Sequence, residues 1–102
     1  MSVLSLFSAK INGGDGFDSP APIVDLPGWT VFKQQQTEIY VITHNLGLCD
    51  PDRDMHVVVT PMSPHCIAVV ESVDENSFRV STWRTNEAPM QSDFMFIAKL
   101  AI

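Results

Sequence analysis

Asp50, Asp52 and Asp54 alternate along a short polar stretch, the spacing with which an EF-hand loop turns its carboxylates onto one hard cation. The rest of that motif is missing: Met55 stands where the loop needs its glycine, and Pro61 where it needs a bidentate glutamate. The three aspartates therefore read as a solvated acidic loop, with Arg53 offsetting part of their charge. His44, His56 and His65, with Cys49 and Cys66, are residue types that ligate zinc, but their spacings match no compact Cys/His site. No metal or other cofactor is expected, and His44 reads as packing or hydrogen-bonding at a turn. Catalysis has as little support. The chain has no G-x-S-x-G elbow, no glycine-rich phosphate loop before a helix and no Cys/His pairing in a recognisable context. Asp74 and Glu75 fall in a turn, where they read as solvated and not as an acid and base facing each other across a cleft. The expectation is a non-enzymatic protein.

Trp83, followed by Arg84, Thr85 and Asn86, is a different matter. An aromatic ring can stack on the C–H face of a sugar while charged and amide groups fix its hydroxyls. The opposing reading makes Trp83 a packing residue at a strand end or a subunit contact.

These residues need a scaffold, and the alternation of side chains specifies strands. In residues 77–83 Phe78, Val80 and Thr82 alternate with Ser77, Arg79 and Ser81, the period of a strand with one dry and one wet face. In residues 94–100 Phe94, Phe96, Ala98 and Leu100 lie on one face and Met95 and Ile97 on the other, so both faces ask to be covered. Residues 37–43 (TEIYVIT) are β-branched and aromatic and run into His44-Asn45-Leu46-Gly47, where Asn45 and Gly47 tolerate the positive φ of a tight turn. Residues 55–61 place Met55, Val57 and Val59 on one face, and residues 66–71 (CIAVVE) read as a strand buried on both sides until Glu71. Trp29 and Val31 share a face of a further strand over 29–32. Residues 2–7 fit a short strand, a helical turn or an arm docked on a neighbour. Residues 11–22 (INGGDGFDSPAP) concentrate turn-forming types and read as a linker or extended arm. Residues 23–26 form a short extended piece ended by Pro27-Gly28, Gln34–Gln36 a polar break, and residues 48–54 a surface loop. About six strands without helical periodicity predict an all-β fold, a small antiparallel β-sandwich.

Length and charge narrow the role. With 102 residues there is one domain. Twelve acidic against six basic residues leave a formal net charge of −6, which repels nucleic-acid phosphates and anionic lipid, so neither is an expected partner. No apolar run approaches the roughly 18 residues of a membrane span, and residues 1–7 lack the basic start and cleavage site of a secretory signal. Two cysteines without CxxC spacing fit synthesis in a reducing compartment, with a Cys49–Cys66 bridge left open. A strand apolar on both faces, in a chain too short to cover both, predicts oligomerisation.

Residues 73–78 (VDENSF), the Thr82-Trp83 pair and residues 96–98 (FIA) resemble the closing half of an H-type lectin domain. Residues 40–47 (YVITHNLG), followed by 56–61 (HVVVTP), are similar to a motif of bacteriophage tail-fibre tip modules, in the same order and spacing. The resemblance spans residues 37–102. It implies a trimeric antiparallel sandwich that recurs at the ends of phage fibre proteins. In the snail-type lectins the Thr-Trp pair leads into the sugar site, which gives Trp83 a precedent. Two positions depart from that pattern: His65 stands about where those lectins carry a sugar-anchoring arginine, and Arg84 follows the tryptophan in place of histidine.

Together these readings predict an N-terminal arm and linker over residues 1–28 and a sandwich over 29–102, forming a homotrimer through Phe94, Met95, Phe96 and Ile97. A three-fold axis could gather three copies of a histidine, and His44 is the candidate. The expected role is that of a virion structural protein of a bacteriophage, made in the host cytoplasm. It would decorate a capsid or form part of a tail or head fibre; the residues before 37 are too few for a shaft, and residues 1–22 would attach it to other virion proteins. The alternative is a receptor-recognition lectin that binds a cell-surface glycan with Trp83, Arg84, Asn86 and His65.

Overall fold

The computed structural model describes residues 6–13, 26, 28–33, 39–86, 88, 90 and 92–100. The expected Gln34–Gln36 break lies outside these residues, as do the extended piece at 23–25 and much of the expected arm. Seven strands and one helical turn follow in order: β1 (Leu6–Ile11), β2 (Thr30–Lys33), β3 (Ile39–Thr43), α1 (Pro51–Asp54), β4 (Met55–Pro61), β5 (Cys66–Val73), β6 (Ser77–Arg84) and β7 (Phe94–Leu100). They form two antiparallel sheets, a first in the order β1-β7-β4 and a second in the order β2-β3-β6-β5. The fold is all-β and sandwich-like.

The core follows from the pleat. In the first sheet Ala9 and Ile11 of β1 sit opposite Phe96 and Phe94 of β7, with Val59 and Pro61 of β4 on the other side. All of these point toward the second sheet, whose inner face carries Tyr40 and Ile42 of β3 and Phe78 and Val80 of β6. Trp29, just before β2, joins the two layers: its ring stacks on Phe96 at 5.8 Å between centroids and meets Phe78 edge-on at 6.3 Å. Phe7 lies 5.0 Å from the same ring. Offset and edge-to-face pairs of this kind add to the burial of large apolar surface.

Strand β1 corrects the expected domain boundary. Residues 6–11 are the edge strand of the first sheet, paired over six residues with β7, so this part of the expected arm belongs to the sandwich. Its end is fixed as firmly as its middle. The Gly13 N–H donates to Asp93 Oδ1 at 2.7 Å, and the Tyr40 hydroxyl donates to the Gly13 carbonyl at 3.0 Å. A Cβ on Gly13 would lie 2.6 Å from the Ser92 carbonyl oxygen, so only glycine fits this approach.

A second correction concerns β5. It lies at the margin of its sheet in the described strand order, and Ile67 and Val69 on its outer face are exposed, so the strand is dry on one side only. The acidic stretch also differs from a plain loop. Asp50 opens the single turn α1, its carbonyl accepting the N–H groups of Arg53 and Asp54, while the Asp54 carboxylate accepts the Asp50 N–H. Cys49 and Cys66 are free thiols.

Candidate functional site

The hairpin of β5 and β6 brings together three of the four sugar-site candidates. Cys66 faces Arg84 across the ladder, and the Thr85 N–H donates to the His65 carbonyl at 3.3 Å, so the start of β5 is tied to the end of β6. His65 takes a positive φ of 59°, which turns the chain sharply into β5. Beyond β6 the chain folds back. The Arg84 N–H donates to the Ala88 carbonyl at 2.6 Å, the Ala88 N–H to Asn86 Oδ1 at 3.3 Å, and the Met90 N–H to the Thr82 carbonyl at 3.2 Å. The result is a cavity of about 310 Å³ lined by His65, Arg84, Thr85 and Asn86, with Pro64 and Met90 at its apolar side.

Trp83 lies beside this cavity. It pairs with Ile67, and the alternation of β6 sends it to the outer face of the second sheet. There it lines a second hollow of about 310 Å³ with Ile67, Val69 and Arg84, so Arg84 borders both spaces. The indole is held in place: its Nε1–H donates to Ser81 Oγ at 2.7 Å, and the Ser81 hydroxyl donates to the Glu71 carboxylate. The register shift between Val70 and Ser72 makes Glu71 the bulged residue of β5, which is how a carboxylate reaches Ser81. Ring N–H and serine are thus satisfied within the sheet, which leaves the aromatic face as what Trp83 offers a ligand.

The interface candidates are divided between two environments. Phe94 and Phe96 are buried in the chain's own core, and His44 is buried against Trp29 and Phe78, so none of the three is open to a partner. This corrects their expected place: the alternation of β7 turns its even-numbered side chains toward the second sheet. Met95 and Ile97 face out and are 44% and 51% exposed. They have company that local sequence did not reveal, namely Val58 of β4 at 65% and Leu6 of β1 at 54%. The same face carries Ser8, Lys10, His56, Thr60 and Lys99, and no carboxylate among the described residues. Leu6, Lys10, Leu26, Val58, Met95 and Ile97 help to line a groove of about 670 Å³ over it.

His44 has a defined role inside the chain's own fold. Its Nδ1 accepts the Leu46 N–H at 3.0 Å, which puts the ring proton of the neutral form on Nε2. Among the described residues Nε2, which is buried, has no hydrogen-bond partner, and the ring lies against Trp29 and Phe78, 5.6 and 6.4 Å away. Burial lowers its pKa from the ordinary imidazole value. The turn that follows is clamped to the β5–β6 turn. The His44 and Asn45 N–H groups donate to the Asn76 carbonyl, and the Gly47 N–H donates to Asn76 Oδ1. The HNLG and DEN segments that carry the motif resemblance are therefore packed against each other. Among the described residues no three His, Cys, Asp or Glu side chains converge as metal ligands would.

Compared with protein-family models, curated proteins and solved structures, the chain shows no significant match to any of them.

Proposed function

We propose that the chain is a non-enzymatic structural protein of a bacteriophage particle that assembles as a homotrimer through the outer face of its first sheet. The observation that carries this reading is the uncovered apolar surface at Leu6, Val58, Met95 and Ile97. Monomeric proteins keep contiguous patches of large apolar side chains small, because each exposed side chain forgoes about 1.5–3 kcal/mol of burial. The charge on this face argues for the mode of association. Lys10 and Lys99 lie around it beside His56, and among the described residues no carboxylate shares the face. Two such faces brought together would oppose cation to cation, whereas a head-to-tail contact with an acidic surface of the next copy satisfies them and closes a ring. The phage assignment rests on the YVITHNLG, HVVVTP and VDENSF motifs.

Attachment to other virion proteins is carried by the N-terminal region, of which residues 6–11 pair with β7 on one side as the edge strand of the first sheet. The test is a doubly substituted chain, Val58→Lys with Ile97→Lys. It is expected to stay folded, lose its self-association and disappear from gradient-purified particles in which the native chain is found. A native chain absent from the particles would refute the virion reading.

A second reading, carbohydrate recognition, is favoured by one observation: His65, from the far end of the hairpin sequence, lines one cavity with Arg84 and Asn86 next to a hydrogen-bonded Trp83. Loss of glycan binding in Trp83→Ala, with the oligomer intact, is the outcome it requires.

A further inference from the structure

We infer that the cavity at the end of the β5–β6 hairpin takes the carboxylate of an acidic sugar, with Arg84 as the anion-binding group and Trp83 beneath the sugar ring. The inference rests on the carbohydrate reading above and names its ligand class. The groups that line the cavity are mostly hydrogen-bond donors. Arg84 contributes a guanidinium with five N–H groups and no acceptor. Asn86 accepts the Ala88 N–H with its side-chain oxygen and has an NH₂ group to offer. Thr85 and His65 add a hydroxyl and an imidazole.

Charge points the same way. The chain carries twice as many acidic as basic residues, yet among the described residues no carboxylate lines this cavity. Among the described residues none forms an ion pair with Arg84. An arginine at a concave position, with no ion pair among the described residues, is suited to a planar carboxylate, which it can meet through two parallel N–H···O bonds. The adjoining hollow supplies the other half of the ligand. Ile67, Val69 and Trp83 make it apolar, and Arg84 lines both spaces, so a molecule with a carboxylate at one end and a C–H face at the other fits the pair. Uronic and sialic acids have that form.

The test is titration of the isotopically labelled full-length chain, followed by NMR, with glucuronic, galacturonic and N-acetylneuraminic acids. Neutral glucose and galactose, acetate and inorganic phosphate are titrated in parallel. At least one acidic sugar is expected to bind about tenfold more tightly than its neutral counterpart, the worth of one charge-assisted pair, and to shift the Trp83 indole N–H signal. Arg84→Gln should abolish that preference while leaving the unfolding midpoint unchanged. Equal binding of neutral and acidic sugars, insensitive to Arg84→Gln, would overturn the acidic-sugar assignment and leave the carbohydrate reading standing. Acetate or phosphate binding as tightly as the sugars, with no effect of Trp83→Ala, would reduce the site to an anion hole and overturn the inference. No binding by any probe would overturn both.

Discussion

Ile97 of β7 and Val58 of β4 are register partners on the outer face of the first sheet, and each leaves more than half of its surface in solvent. A directly opposed apolar pair normally sits in a core or an interface. Alanine at either position is expected to weaken self-association by about 1–3 kcal/mol per contact while changing subunit stability by less than about 0.5 kcal/mol. Sedimentation equilibrium and denaturant unfolding separate the two effects. Because Lys10, His56 and Lys99 surround the pair, added salt should also weaken the assembly.

The close approach of Gly13 to the Ser92 backbone yields a prediction about stability. Gly13→Ala forces a methyl group against the Ser92 carbonyl, beside the hydrogen bonds that Gly13 makes with Asp93 and Tyr40. A loss of about 1–3 kcal/mol is expected from overpacking, read as a lower urea midpoint.

Strand β1 carries a related expectation. Removing residues 1–11 takes Ala9 and Ile11 out of the core and leaves one edge of β7 without its partner. The truncated chain is expected to lose cooperative unfolding, as seen by near-UV circular dichroism. A normally folded truncation product would show that β1 is dispensable and restore the idea of a separate arm beginning at the N-terminus.

His44 gives the fold a pH dependence with a definite sign. Its pKa in the folded state is depressed by burial, so the neutral ring is favoured there over the unfolded chain, where the value is about 6.5. Stability from this group is therefore complete at neutral and alkaline pH. It falls as pH drops below about 6.5 toward the folded pKa. Protonation also removes the Nδ1 acceptor of the Leu46 N–H. Urea midpoints measured between pH 7.5 and 5 should decline, on the order of the window in which an imidazole charges, and His44→Phe should flatten that decline.

Most of the second sheet and two strands of the first were legible in the sequence, because their alternation is strong and local. Phe78, Val80 and Thr82 point inward from β6 as their spacing requires, and β4 and β7 begin and end where their patterns do. β1 was not legible. Its inward set is Phe7, Ala9 and Ile11, in which a small alanine blurs the period, and its strand character comes from pairing with residues near the other end of the chain. The same physics explains the misread faces of β5 and β7. Composition shows that a strand is apolar on both sides, but which side is covered depends on the sheet's position among its neighbours. His65 could be associated with Arg84 and Asn86 only through the hairpin register, and Ile67 and Val69 join Trp83 for the same reason. Thr85 was visible beside Trp83 from the start; Pro64 and Met90 carried no signal of their own.

Light scattering of the unmodified chain at micromolar concentration tests trimerisation most directly. Burial of Leu6, Val58, Met95 and Ile97 between copies requires a mass of about three times the 11.3 kDa of one chain. A stable, monodisperse species at the mass of a single chain would contradict it.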